Sequence, residues 1–191
     1  MPGLPTAGAG QLARECVQRV LPGVRDLLPL AAKFPQRYPC LLESALAGPQ
    51  ARWDILFAFP QDSLALHVDG RVRNQSGEVI GTRFLDALDA VWHTARTHVQ
   101  RAQDGGCASP FRGGWLLYLG YELAGEIEPR LRLPQSSDPR IPVALAIRCP
   151  AAILVDRQCG HTLLVAESGR PELLDALHDD LEAAGSHVDC E

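Results

Sequence analysis

The sequence predicts an α+β fold with largely antiparallel sheet, and three observations carry that reading. Runs of apolar, branched and aromatic residues are divided by Gly, Pro and Asp turn signals, among them Asp69-Gly70 between Leu64–Val68 and the segment from Val72. The segment Phe84–Gln103 instead repeats its apolar residues at helical spacing. The order of these elements is mixed, without the regular strand-helix alternation of a doubly wound sheet and without an internal repeat. A chain of 191 residues suits one domain, or a domain with a short appendage, and can bury a sizeable core.

From the N-terminus, Met1 to Gly10 is rich in Gly, Pro and small residues and reads as a frayed tail. Leu12, Cys16, Val20 and Val24 then fall on one side of an expected helix, which Pro22-Gly23 breaks or resets before Leu27, Leu28 and Leu30. Ala31 to Gln36 is read as a connection. Tyr38–Leu42 opens the first strand, Ala47-Gly48-Pro49 marks a turn, and Trp53–Phe59 is the second strand. Asp69-Gly70 tolerates positive φ and is read as a two-residue hairpin turn.

Phe84, Leu88, Val91, Trp92, Ala95 and Val99 give a helix that covers the sheet, with its stop at Asp104-Gly105-Gly106. Trp115–Leu119 reads as a buried strand entered through Gly113-Gly114, where a missing side chain permits a bulge or a close backbone approach. Gly120–Glu128 turns helical, and the prolines and serines of Arg130–Pro142 make a surface loop. Val143–Arg148, Ala151–Asp156 and Thr162–Ala166 are strands. The last helix, Pro171–Ala184, has Pro in its first turn, Gly185 after its end, and an apolar face of Leu173, Leu174, Leu177 and Leu181.

Composition narrows the chemistry. A net charge of -5 with basic residues scattered among acidic ones offers no field for nucleic acid. Lys33 is the single lysine, which confines Schiff-base chemistry to one position. No apolar run is long enough for a signal peptide or membrane span, and a reducing cytoplasm is the expected compartment. The cysteines Cys16, Cys40, Cys107, Cys149, Cys159 and Cys190 lie far apart, with no zinc-type pairing with His, and read as packed thiols.

No Ser sits in a Gly-x-Ser-x-Gly turn, and His93 and His98, five apart, do not share a helix face as metal ligands would. Glu122, Glu126 and Glu128 have the chemistry for Mg²⁺, although a solvated edge is the plainer reading. Gly113-Gly114 lacks the context of a phosphate-cradling loop. There remain Leu41-Leu42-Glu43-Ser44 and Arg52-Trp53-Asp54. A hydroxyl, a guanidinium, a carboxylate and an aromatic wall beside an apolar strand suit a zwitterionic, ring-bearing small molecule. The packing alternative has Trp53 in the core, Arg52 in an exposed ion pair and Ser44 starting a turn.

These motifs, with the run from Pro110-Phe111-Arg112-Gly113-Gly114 through Gly120-Tyr121-Glu122-Leu123 to Glu128 and the segment Ile141–Gln158, resemble component I of aminodeoxychorismate synthase. They are more distantly similar to component I of anthranilate synthase. The resemblance covers about Phe34 to Ser168. Arg52-Trp53-Asp54-Ile55 is closer to the Arg-Phe-Asp-Ile pattern of the aminodeoxychorismate enzymes, whereas Glu43 gives the form favoured by anthranilate synthases.

The resemblance implies that residues 34–170 form the N-terminal module of such an enzyme, after a flexible tail and leading helix at 1–33 and before a C-terminal helix and chain end at 171–191. It implies a tryptophan-like pocket at Leu42, Glu43, Ser44, Arg52 and Trp53, with L-tryptophan as a ligand. It also implies two partners: a chorismate-binding catalytic domain and a glutamine amidotransferase subunit that supplies ammonia. The family's catalytic lysine, metal-binding glutamates and Gly-Ala-Pro loop are expected beyond Glu191, so no catalytic residue, cofactor or metal is expected in this chain, and Mg²⁺ belongs to the catalytic domain. Such a half-molecule is expected to expose an apolar face and to lack activity alone. The alternatives are a stand-alone aromatic amino acid-binding module and an N-terminal fragment of anthranilate synthase component I.

Overall fold

The computed structural model describes residues 16–45, 48, 51–95, 109–131, 133–134 and 138–185. In chain order these form β1 (Cys16–Pro22), α1 (Leu28–Lys33), β2 (Cys40–Leu42), β3 (Trp53–Ala58), β4 (Asp62–Leu66), β5 (Val72–Asn74), β6 (Val79–Gly81) and α2 (Phe84–Ala95). There follow β7 (Gly114–Leu119), a 3-10 turn over Tyr121–Leu123, α3 (Ala124–Ile127), β8 (Ala144–Cys149), β9 (Ala151–Asp156), β10 (His161–Glu167) and α4 (Leu173–Ala184). The strands make two five-stranded antiparallel sheets, ordered β1-β10-β9-β3-β2 and β6-β5-β4-β8-β7. The α+β class and the antiparallel sheet expected from the sequence are what the fold shows.

Two strand pairs run through both sheets. Ala58 pairs with Ala151 in the first sheet and Asp62 with Arg148 in the second, so β3–β4 and β8–β9 each turn a corner between sheets. Pro60 and Pro150 stand at the two bends. Proline lacks the N–H a continuing ladder needs. Phe59 takes φ of 58°, and its N–H donates to the Arg37 carbonyl at 2.8 Å. Such bends are how one strand serves two sheets that cross at an angle.

Alternation along the strands divides the core. On one face of the first sheet Leu56, Ile153, Val155 and Leu164 pack under Leu30 of α1 and Leu174, Leu177 and Leu181 of α4. On its other face Leu154, Leu163 and Val165 meet Trp53, Ile55 and Phe111. β9 is buried at all six positions, as befits a central strand covered on both sides. Leu64, Leu66, Val72, Ala144 and Ala146 of the second sheet pack with Phe84 of α2 and with Leu123.

Four expectations are corrected. Residues 16–22 are a strand rather than part of a leading helix, because they complete the sheet along β10 over the full register Cys16↔Glu167 to Pro22↔His161. Positions four apart share a side in a strand as well as in a helix, so the spacing of Cys16 and Val20 fits both, and strand pairing decides. A helix does follow, but as α1, and it takes in Ala31–Lys33 of the expected connection.

The hairpin loop is longer than two residues. Gly70 N–H bonds the His67 carbonyl at 2.9 Å and His67 N–H bonds Arg71 at 3.1 Å, with Gly70 at φ of 72° closing a three-residue connection. Finally, Trp115–Leu119 is not a buried strand: β7 ends its sheet, and Leu117 and Leu119 are 46% and 52% exposed.

Other elements follow the sequence. α4 ends in Gly185 at φ of 64°, a left-handed cap that a side chain would oppose. The expected tail at Met1–Gly10, the turn residues Ala47 and Pro49, and the Asp104-Gly105-Gly106 stop lie outside the described residues.

Candidate functional site

Three strand ends meet at one margin of the first sheet. The registers Leu42↔Ile55 and Trp53↔Asp156 bring the end of β2, the start of β3 and the end of β9 side by side. Directly paired residues share a face. Leu42, Ile55, Trp53 and Leu154 therefore lie on one side of the sheet, and Leu41, Asp54, Val155 and Leu56 on the other.

Asp156 is fully buried and Asp54 is 6% exposed, so each carboxylate requires compensation. Arg52 supplies it to Asp156, with Nε 3.1 Å from both oxygens and Nη2 2.6 Å from Oδ2. The backbone N–H groups of Gln158 and Cys159 add bonds at 3.0 and 3.1 Å. The Arg52 guanidinium beside Asp156 holds its carboxyl well below the usual carboxylate range, helped by the Cys159 N–H. Arg52 also lies over the Trp53 ring, 4.8 Å from its centroid, a cation–π placement that fixes both side chains.

Arg157 pairs with Asp54 through Nε to Oδ2 at 2.7 Å. Its outer nitrogens reach the Ser44 carbonyl at 3.2 Å and Glu43 Oε1 at 3.3 Å. The backbone closes the group, since Arg157 N–H bonds the Arg52 carbonyl at 2.9 Å. The dipeptide Asp156-Arg157 and the segment Arg52–Asp54 thus exchange two charge pairs across neighbouring strand ends.

The five residues singled out from sequence are therefore neighbours, but not on one wall. Leu42 (47% exposed) shares the Trp53 face. Glu43 and the Ser44 carbonyl are tied to Arg157, which meets Asp54 on the opposite face. Among the described residues the Ser44 hydroxyl has no hydrogen-bond partner, leaving one donor and one acceptor at the margin. Such a margin can recognise a small polar molecule through Ser44, Glu43 and the outer edge of Arg157. Asp156 and Arg157 were not singled out from sequence. The signal was an Asp-Arg pair closing an apolar strand, complementary in order to Arg52 and Asp54.

The remaining candidates resolve into structure. Glu126 accepts the N–H groups of Phe84 at 2.7 Å and Leu85 at 3.1 Å, capping the start of α2 from another element. Among the described residues no three His, Cys, Asp or Glu side chains gather as a metal would require. Gly113 and Gly114 adopt φ of 101° and 140°. Beneath them Arg148 pairs with Glu167 and donates to the Gly114 carbonyl at 3.1 Å. A groove of about 460 Å³ runs between α2 and β7, lined by Leu85, Leu88, Trp92, Trp115 and Leu117.

No protein-family model matches the chain, and no curated protein matches its sequence. Among solved structures, the chain is similar to the crystal structure of anthranilate synthase component I from Streptococcus pneumoniae TIGR4, with a TM-score of 0.54 and 19% identity. The match covers 81% of this chain and 34% of that one, so this chain spans about a third of its neighbour's length. No helix among the described residues is long and apolar enough to cross a membrane. At this identity the likeness is one of fold: two antiparallel sheets with four helices, consistent with the N-terminal region of anthranilate synthase component I.

Proposed function

We propose that this chain is the N-terminal scaffold of an aminodeoxychorismate synthase component I, working in the cytoplasm and inactive until it meets a chorismate-binding catalytic half. The observation that carries this reading is the two-sheet fold, shared with anthranilate synthase component I over 81% of the chain. The choice of the aminodeoxychorismate branch rests on Arg52-Trp53-Asp54-Ile55 and on the Gly113-Gly114 and Gly120-Tyr121-Glu122-Leu123 context.

In this role residues 34–170 are the module that meets the catalytic half, and a glutamine amidotransferase supplies ammonia to that half. In this reading Mg²⁺ belongs with the companion, and Glu126 of this chain serves to cap α2. Support for a companion comes from the exposed apolar residues at one end of the second sheet. Tyr121 is 93% exposed and Ile127 73%, beside the half-exposed Leu117, Tyr118 and Leu119.

Reconstitution tests this. The chain is mixed with a separately produced chorismate-binding half from the same genome, and 4-amino-4-deoxychorismate formation from chorismate, Mg²⁺ and ammonia is followed. Activity of the mixture and silence of each half is the expected result. A mixture that neither associates nor converts chorismate sinks the reading, and anthranilate as the product would move it to the other branch.

The same reading assigns the margin at Leu42, Glu43, Ser44, Arg52 and Trp53 to L-tryptophan or a related amino acid. The Ser44 hydroxyl, without a hydrogen-bond partner among the described residues, and the half-exposed Glu43 support it, Glu43 being 53% exposed at its side chain. Ligand at about 100 times its Kd adds about 2.7 kcal/mol of stability. An unchanged melting temperature at millimolar L-tryptophan removes this assignment.

A further inference from the structure

β7 differs from every other sheet edge in the described fold. Edge strands expose a row of backbone donors and acceptors, and proteins ordinarily blunt them with charge, proline, bulges or shortness. β1 carries Gln18 and Arg19, the latter bonded to Asp175, and ends in Pro22. β2 is three residues long and runs into Glu43. β6 is also three residues long, and the register slips between Val72 and Arg73 where it pairs with β5.

β7 has none of these devices. From Gly114 to Tyr121 there is no charge and no proline, and the pairing with β8 is unbroken from Gly114↔Cys149 to Leu119↔Ala144. Its outer half is exposed on both faces: Leu117 at 46%, Tyr118 at 48% and Leu119 at 52%.

The backbone direction can be read from one bond. Gly120 N–H donates to the Val143 carbonyl at 2.8 Å, beside the pair Leu119↔Ala144. That pattern makes Leu119 and Ala144 a non-hydrogen-bonded pair, so the N–H and C=O of Leu119 point away from β8. Two residues back, those of Leu117 do the same. Between Leu117 and Leu119 the strand thus turns two N–H groups and two carbonyls away from β8, flanked by apolar side chains and with no partner strand among the described residues.

We propose that β7 is the docking edge for the companion half, which adds an apolar strand alongside Leu117–Leu119 and extends the second sheet. This rests on the function proposed above and goes further, naming the mode of contact. The occupant is chosen on two grounds. The chain spans only about a third of the solved protein it resembles, so the rest of that architecture is the natural neighbour of this fold. The absence of charge along the edge demands an uncharged, extended partner. Strand addition of this kind draws affinity from main-chain hydrogen bonds and specificity from alternate side chains.

The experiment mixes the wild-type chain with the separately produced chorismate-binding half. It measures Kd together with backbone amide exchange at Leu117 and Leu119. L117P removes the outward N–H while leaving the β8 ladder intact, and L117V keeps that N–H with a side chain of similar size. L119P and L119V repeat the comparison in case L117P does not fold. The expected result is slowed exchange at both amides in the complex, and a Kd at least ~10-fold weaker for each proline variant than for its valine partner. Association with unchanged exchange, or equal affinity of the paired variants, overturns the strand-addition proposal and leaves the proposed function standing. Absence of any association overturns both.

Discussion

Replacing Arg52 with methionine strips the cation from a fully buried carboxylate and retains most of the aliphatic bulk over Trp53. Asp156 then keeps the N–H groups of Gln158 and Cys159 at 3.0 and 3.1 Å but loses contacts at 3.1, 3.1 and 2.6 Å to the guanidinium. Breaking a buried pair by removing one partner costs about 3–5 kcal/mol. The remaining N–H bonds and the 32% exposure of the Arg52 side chain place R52M at the low end, about 3 kcal/mol at neutral pH. For a domain of this size that lowers Tm by roughly 6–12 °C.

The sign of the pH dependence follows from the depressed carboxyl of folded wild type. Its contribution is fully present above the unfolded aspartate range near ~4 and is lost as pH falls towards the folded value. In R52M the depression is relieved, so the two proteins converge on acidification below about pH 4. Urea unfolding of wild type, R52M, D156N and the double variant between pH 3 and 7 measures both quantities. A loss under about 1 kcal/mol at pH 7, or a difference that does not shrink in acid, refutes the argument that Arg52 chiefly offsets the burial of Asp156.

Three further outcomes follow from the packing. Gly113→Ala should cost about 2–3 kcal/mol, because φ of 101° disfavours any side chain and an added Cβ would lie 2.5 Å from a Glu167 carboxylate oxygen; equilibrium unfolding beside Gly23→Ala, where φ is 81° but nothing lies within 4 Å, separates collision from backbone strain. Tyr38→Phe removes a buried hydroxyl that donates to Asp180 Oδ2 at 2.6 Å, and chemical denaturation should register a loss of about 1.5–3 kcal/mol. Burial pushes the Cys149 thiol up to about 12, so in the folded chain at pH 8 a thiol reagent followed by mass mapping should leave Cys149 unmodified and modify the exposed Cys159.

Local signals were legible wherever one strand or helix decided them alone. Trp53–Ala58, Ala151–Asp156 and the leucines of α4 carry their own period, and Gly185 marks its helix end by chemistry that no neighbour alters. Cys16–Pro22 was not legible, because spacing of four residues suits two conformations and only β10, far along the chain, selects one. Exposure of β7 was equally hidden: Trp-Leu-Leu-Tyr-Leu has the composition of a central strand, and its place at a sheet edge is a property of topology.

At the candidate site the residue types were visible but their engagement was not. Arg52 could be read as a receptor for carboxylate, yet its partner is Asp156, a residue of β9 that comes alongside only through the register Trp53↔Asp156. Arg157 went unnoticed for the same reason, since its three acceptors lie at residues 43, 44 and 54. Charge complementarity between distant dipeptides becomes informative only once the pairing of strands is known.

The shared corner has a consequence for how the chain matures on the ribosome. β8 joins β4 to β7 in one sheet and β9 joins β3 to β10 in the other, so neither sheet is continuous until residues 144–156 have been synthesised. Until then β2–β3 and β4–β5–β6 pair only with their sequence neighbours, and β3, β4 and β7 each offer an unsatisfied edge. Translation of β8 closes the second sheet, the first waits for β9 and for β10 at residues 161–167, and a stall before Pro150 would leave an aggregation-prone polypeptide for chaperones to hold.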